Sequence, residues 1–282
     1  MKIQKVGIIG CGLVGSGVAQ VSAQANYEVV FLDISQRRID EGFGAIKSSL
    51  QSRIEKSRIT NVEMKEVLAR ITGTTEWEDL ADCDVFIESV VENLPEKKAV
   101  FESIDRCAPV HALIATATSS LCVSELAAMV SRPERVIGLH FACPVPAMKL
   151  VELVRGVCAD EESVNAGREF ARSIGKTVIL SKDSPGFVVN RLLVPYLMEA
   201  VRALETGVAS KEDIDEGVRK GLRYPLGPFE VLDLVGLDIA YLMSQRLFDE
   251  TKETRYAPPR LLKEMVVSGF LGRKTGKGFY EY

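Results

Sequence analysis

Short apolar runs separated by longer segments of mixed character dominate the first two thirds of the chain. Val6 to Ile9 is a β-branched run that ends at glycine, and an amphipathic stretch from about Gly15 follows it. Glu28 to Leu32 repeats the apolar pattern, and a second helical stretch begins near Ser35. This opening predicts a strand, a helix and a second strand. Asp84 to Glu88, Ala112 to Ala115, Arg135 to His140, Leu150 to Val154 and Thr177 to Leu180 read as further strands. The alternation predicts an α/β fold, with an open, largely parallel, doubly wound sheet of Rossmann type covered by helices.

Two features interrupt that pattern. Residues 44–70 are charged and helix-favouring, with a break at Ile59, Thr60 and Asn61. They read as a helical hairpin inserted into the nucleotide fold and projecting from the sheet. Beyond Asp183, Ser184, Pro185, Gly186 and Phe187 the strand signals stop, and the remainder reads as helices punctuated by proline and glycine. The boundary therefore falls near residue 184, giving a dinucleotide-binding domain over 1–184 and an all-α domain over 185–282.

Composition narrows the function. Of 282 residues, 46% are hydrophobic, enough for a sizeable core, and the net charge of −4 gives no general attraction to nucleic acid or an anionic membrane. No run of about 18 apolar residues suggests a membrane span. The six cysteines form no C-x-x-C pair, and two histidines supply no metal cluster, so no metal is expected and a reducing, cytoplasmic setting fits.

The chemistry is carried by two patterns. Gly10, Gly12 and Gly15 follow the first strand and open the first helix, where a tight turn and close backbone approach suit a pyrophosphate; Leu13 and Val14 lie within this loop. Asp33 closes the second strand, at the position where an acid accepts from a ribose 2′-hydroxyl and repels a 2′-phosphate. NAD is favoured over NADP, although Arg37 and Arg38 lie close by and a flavin could use the same loop. The second pattern is His140 and Glu152 on neighbouring apolar runs, separated by Pro144, Val145 and Pro146. A histidine takes a proton near neutral pH, and a carboxylate on its other ring nitrogen fixes the tautomer and stabilises the imidazolium.

With these residues in view, the chain resembles the L-3-hydroxyacyl-CoA dehydrogenases, especially the short bacterial 3-hydroxybutyryl-CoA enzymes, over essentially its whole length. The resemblance is carried by the glycine loop, Val91-Glu92-Asn93, Thr118-Ser119-Ser120-Leu121 and His140-Phe141. It continues through Pro144 to Glu152, Asp183 to Arg191, Gly227 to Glu230, and Gly272 to Tyr280. It implies reversible, NAD-linked oxidation of an (S)-3-hydroxyacyl-CoA to the 3-ketoacyl-CoA. His140 is then the general acid-base and Glu152 its orienting partner, while Ser119 and Asn190 hydrogen-bond substrate oxygens. Glu92, Lys97, Ser119 and Lys274 match positions around the cofactor. Arg53, Lys56 and Arg58 on the hairpin form a cationic cluster where the family binds CoA phosphates. The apolar stretches Leu192 to Leu204 and Leu232 to Leu247 imply a homodimer.

Two positions depart from the family. Ala117 stands where asparagine is usual before Thr-Ser-Ser, and Cys143 replaces the asparagine before Pro-Val-Pro, so each exchange removes an amide beside the proposed chemistry. Cys143 is expected to be a small buried hydrophobe. Dehydrogenases of free 3-hydroxy acids such as carnitine or a sugar acid remain open at this point, as does an NAD-binding homologue with impaired turnover.

Overall fold

The computed structural model describes residues 3–282. They divide after Ser184 into two compact units, each with its own core.

The first unit opens with β1 (Lys5–Ile9), α1 (Leu13–Gln24), β2 (Glu28–Leu32), α2 (Gln36–Glu55), α3 (Asn61–Ala69) and β3 (Ile71–Thr74). It continues with β4 (Val85–Glu88), α4 (Leu94–Cys107), β5 (Leu113–Thr116) and α5 (Val123–Ala127). β6 (Val136–Phe141), β7 (Leu150–Arg155), α6 (Glu161–Ser173) and β8 (Thr177–Lys182) complete it. The eight strands form one sheet in the order β3-β2-β1-β4-β5-β6-β7-β8, parallel except for the antiparallel β6/β7 pair. Helices cover both faces of the central strands, so β4 and β5 are buried at every residue and read as apolar runs up to their last residues, Glu88 and Thr116.

Strand order reverses beside β1, which lies between β2 and β4. This is the switch point where open α/β sheets bind ligands, outside the carboxyl ends of the strands. Gly10 sits there at φ +102°, and a Cβ on it would stand 2.7 Å from the Ser89 carbonyl oxygen, so only glycine closes this turn.

β3 has no counterpart in the sequence reading. It is a four-residue edge strand, Ile71-Thr72-Gly73-Thr74, too short and polar to announce itself. Its glycine serves packing: a Cβ on Gly73 would lie 2.4 Å from Ile39 of α2.

The hairpin also differs from expectation. α2 is continuous from Gln36, and Ile46, Leu50 and Val67 enter the main core, so much of the hairpin packs against α1 rather than projecting. Its break has a local cause. Thr60 caps α3 by accepting from the Glu63 amide at 3.2 Å, while the Glu63 carboxylate accepts from the Thr60 amide at 2.6 Å.

The second unit contains α7 (Val189–Glu205), α8 (Lys211–Gly221), α9 (Pro228–Val235), α10 (Leu237–Thr251) and α11 (Arg260–Val267). They surround Met198, Phe229, Leu232 and Tyr256. Two buried carboxylates organise the glycine- and aromatic-containing motifs. Asp215 accepts from the Phe229 and Glu230 amides at the start of α9, and Asp233 accepts from the Phe279 and Tyr280 amides at 2.8 Å each.

Candidate active site

The glycine loop is built to receive an anion. α1 begins without a side-chain cap and without an acid in its first turn, leaving its N-terminal amides for an outside acceptor. A Cβ at Gly12 would meet nothing within 4 Å, whereas one at Gly15 would fall 1.9 Å from the Gly10 carbonyl oxygen. Gly12 therefore keeps the loop open to a pyrophosphate, and Gly15 lets the helix approach the strand. Leu13 is 72% exposed and Val14 is half-buried. Asp33 is half-buried and accepts from the Cys11 amide at 2.7 Å through one carboxylate oxygen. It braces the loop as well as offering an acceptor, and these residues fit a dinucleotide with a free ribose hydroxyl.

The antiparallel β6/β7 register sets His140 directly opposite Glu152. His140 Nδ1 lies 2.7 Å from Glu152 Oε2, with the carboxylate side chain 1% exposed and the imidazole 14%. An ionised carboxylate only accepts, so Nδ1 carries the hydrogen and proton exchange falls to Nε2. Glu152 is fixed from its other side by the β7/β8 pairing, which sets it opposite Ile179. The turn between the two residues is anchored by Lys176, whose ammonium donates to the carbonyls of Val145 and Met148. Val145 is buried where α1 approaches at Gly17: a Cβ there would lie 2.7 Å from Val145 Cβ. The turn following the histidine thus rests on the helix following the glycine loop.

Cys143 is exposed, contrary to the buried hydrophobe expected. Protein packed around its thiol still raises its pKa by desolvation. Ala117 is half-buried, and its amide donates to the Glu88 carbonyl at 2.8 Å.

Ser119 lies in the loop after β5, and Glu92 holds that loop. One oxygen of Glu92 accepts from the Ser119 amide at 3.1 Å and from the Ser120 amide and hydroxyl at 3.2 and 3.0 Å; the Thr118 hydroxyl donates to it as well. Its other oxygen lies 3.2 Å from the Lys97 ammonium. Burial pushes the Glu92 carboxyl up, but the Lys97 charge and the donated hydrogen bonds outweigh it and hold the group below the ordinary glutamate range. Lys97 is 1% exposed and pairs at 2.5 Å with Glu88, which is fully buried at the end of β4. The resemblance sets Lys97 at the cofactor; the structure sets its ammonium inside the protein, between two carboxylates.

Sequence reasoning gave no role to Glu88, Thr116 or Lys176, and read Asp183 only as part of a motif at the domain boundary. Glu88 accepts from the Thr116 hydroxyl at 2.7 Å. Asp183 accepts from the Val123 and Ser124 amides at 3.1 and 2.7 Å, and so caps α5 from the end of β8. An acid closing the apolar run Val85-Phe86-Ile87-Glu88 is the one local signal; the other partners meet only through the sheet.

On the hairpin, Arg53 is half-buried and Lys56 and Arg58 are exposed. Arg53 borders a cavity of about 340 Å³ together with Gln24, Lys149 and Lys176, and no acid lines it. His111, which matches no family role, is exposed, with Nε2 3.3 Å from Asp84. In the second unit, Asn190 is buried near the start of α7, and Lys274 pairs with Asp238 at 2.5 Å while 42% exposed. Among the described residues, no cluster of three metal-ligating side chains occurs and no helix is long and apolar enough to cross a membrane.

Residues 5–184 match the 3-hydroxyacyl-CoA dehydrogenase NAD binding domain, and residues 186–282 match the C-terminal domain of the same enzymes. This chain belongs to the 3-hydroxyacyl-CoA dehydrogenase family. A 3-hydroxybutyryl-CoA dehydrogenase of Mycobacterium tuberculosis is 44% identical over 282 residues, covering 99% of each chain. The crystal structure of M. tuberculosis FadB2 superposes with a TM-score of 0.98 at 43% identity, covering 100% of both chains. That of the (S)-3-hydroxybutyryl-CoA dehydrogenase PaaH1 from Ralstonia eutropha gives 0.96 at 41% identity, covering 100% of this chain and 99% of that one. Membership of the family brings NAD as the cofactor.

Proposed function

We propose that this chain catalyses the reversible, NAD-dependent oxidation of (S)-3-hydroxyacyl-CoA to 3-ketoacyl-CoA, with 3-hydroxybutyryl-CoA and acetoacetyl-CoA as the short-chain pair. The observation that carries the reading is the His140–Glu152 dyad, with a buried carboxylate on imidazole Nδ1, which assigns the base role to Nε2. Bound NAD supplies the hydride acceptor. His140 takes the 3-hydroxyl proton at Nε2 during oxidation and returns it during reduction, while the Glu152 charge stabilises the imidazolium between these events. Ser119 and Asn190 donate to substrate oxygens and hold C3 in line. The glycine loop and Asp33 hold the dinucleotide, with Leu13, Val14, Glu92 and Lys274 around it.

The CoA portion is read from charge. Arg53, Lys149 and Lys176 border one cavity without a carboxylate, and Lys56 is exposed on the same hairpin. Cationic donors in such number suit the phosphates of a CoA tail. A homodimer in the cytoplasm completes the proposal. Leu192, Leu234, Ile239 and Leu242, exposed on the helical unit by 69, 52, 45 and 46%, supply apolar surface for a second copy. The six free cysteines accord with a reducing compartment.

The test compares NADH oxidation with acetoacetyl-CoA against oxidation with free acetoacetate and dehydrocarnitine. Turnover of the thioester alone is expected. Preference for a free acid would support the alternative dehydrogenase class, and NADH binding without turnover of any of these would support a binding protein.

A further inference from the structure

Ser119 carries a substrate contact in the proposed mechanism, yet it sits on a loop rather than on a strand or helix. A loop hydroxyl keeps a productive position only if surrounding groups fix its backbone. The loop after β5 is bound at both ends by carboxylates. Glu92 takes the Ser119 and Ser120 amides and the hydroxyls of Thr118 and Ser120 on one oxygen. Asp183 takes the amides of Val123 and Ser124, with the Ser124 hydroxyl at 2.6 Å.

The Glu92 end is itself fixed from behind. Lys97 donates to Glu88 at 2.5 Å and lies 3.2 Å from Glu92, so one ammonium ties a fully buried carboxylate to one that is 24% exposed. Glu88 is held on several sides: it is fully buried, terminates β4, and accepts from the Thr116 hydroxyl and the Val90 amide. The Thr118 amide donates back to the Thr116 hydroxyl at 3.2 Å, closing the circuit onto β5. The sheet therefore reaches the loop through Glu88, Lys97 and Glu92 in sequence.

We propose that Glu92 and Lys97 are positioning residues for Ser119: Lys97 transfers the rigidity of β4 to the Glu92 carboxylate, which fixes the backbone from which the Ser119 hydroxyl meets substrate. This rests on the assignment of Ser119 to a substrate oxygen. It adds to the cofactor role implied by resemblance: Lys97 is enclosed between two carboxylates, and one Glu92 oxygen accepts four hydrogen bonds from the loop.

The test is an epistasis experiment on the full-length enzyme with acetoacetyl-CoA and NADH. Glu92→Gln and Thr118→Val each weaken the loop's anchoring, and Thr118→Val does so without altering a buried charge, so it remains informative if Glu92→Gln does not fold. Each is expected to lower kcat, by about ten- to a hundredfold for Glu92→Gln, because small misplacements of positioning groups have effects of that order. NADH affinity of Thr118→Val, read by quenching of the Trp77 fluorescence or by calorimetry, is expected to stay within about twofold. In a Ser119→Ala background neither change should lower kcat further. Full additivity in that background would overturn the proposal, as would a Thr118→Val enzyme whose loss lies in NADH affinity with kcat kept. If Ser119→Ala by itself left kcat unchanged, the Ser119 assignment would fall and the positioning role with it, a result distinct from additivity.

Discussion

Replacing Glu152 by Gln isolates the charge of the dyad from its shape. The side chain is 1% exposed and its carboxylate lies 2.7 Å from His140 Nδ1, so the amide occupies the same space and its carbonyl can still accept the Nδ1 hydrogen. What disappears is the negative charge facing the imidazolium. A hydrogen bond involving an ionised group contributes about 1.5–3 kcal/mol, against about 1 kcal/mol for a neutral one. A naked charge pair at about 4 Å with an effective dielectric near 20 sets an upper bound of about 4 kcal/mol. At 1.36 kcal/mol per tenfold, the difference of about 0.5–2 kcal/mol predicts a fall in kcat of roughly two- to thirtyfold, well inside the naked-pair bound of roughly a thousandfold, with KM for acetoacetyl-CoA little changed. His140→Gln, which removes the base itself, should lose about 10² to 10⁴. Steady-state NADH absorbance with acetoacetyl-CoA measures both. Because Glu152 acts through His140, the double variant should be far less impaired than the product of the single losses. Normal kcat in Glu152→Gln, or fully multiplicative losses in the double variant, would refute the coupled assignment.

Asp33→Ala should narrow the preference for NADH over NADPH and also weaken NADH binding, because the carboxylate braces the loop through the Cys11 amide; competitive titration of both cofactors checks it, and an unaltered enzyme preferring NADPH would contradict the ribose assignment. Arg53→Ala combined with Lys56→Ala should raise KM for CoA thioesters several-fold while leaving the NADH Kd unchanged, and added salt should weaken the parent interaction; an unchanged KM would remove the hairpin from the CoA site. Glu92, with a folded-state pKa held below its ordinary value, contributes stability that is fully present above that value and lost as pH falls through the folded pKa. The Tm deficit of Glu92→Gln should therefore be largest near neutral pH and shrink as pH drops below about 4.5; a deficit independent of pH would contradict the ionised, paired state.

The contrast between His140–Glu152 and Glu88–Lys97–Glu92 shows what the chain discloses by itself. The dyad lies on two consecutive strands joined by one turn, so alternating residues and a proline pair place both members in reach of each other from sequence alone. The second network gathers Glu88, Glu92 and Lys97 from one β4–α4 segment, but it meets Thr116 and the loop after β5 only through the parallel β4/β5 pairing, 26 to 28 residues further along the chain. The central strands were legible because burial on both faces leaves them almost wholly apolar. β3 was not, since an edge strand of four residues with a glycine at the helix contact carries no such pattern. The hairpin was recognisable by its charge and its Thr60 break, but its attachment was hidden: Ile46 and Leu50 look like ordinary amphipathic positions until α1 is seen beneath them. Cys143 misled for a related reason, as a thiol's chemistry says little about whether a turn exposes it.

Hydride transfer to C3 of a CoA thioester is the central claim, and the fate of an isotopic label tests it directly. Acetoacetyl-CoA is reduced with NADH carrying deuterium at the transferable C4 position, and the product is analysed by mass spectrometry and chiral separation. The account predicts 3-hydroxybutyryl-CoA of S configuration with deuterium at C3, and loss of the labelled product in His140→Gln. An unreduced thioester under conditions where free 3-keto acids take up the label would contradict it.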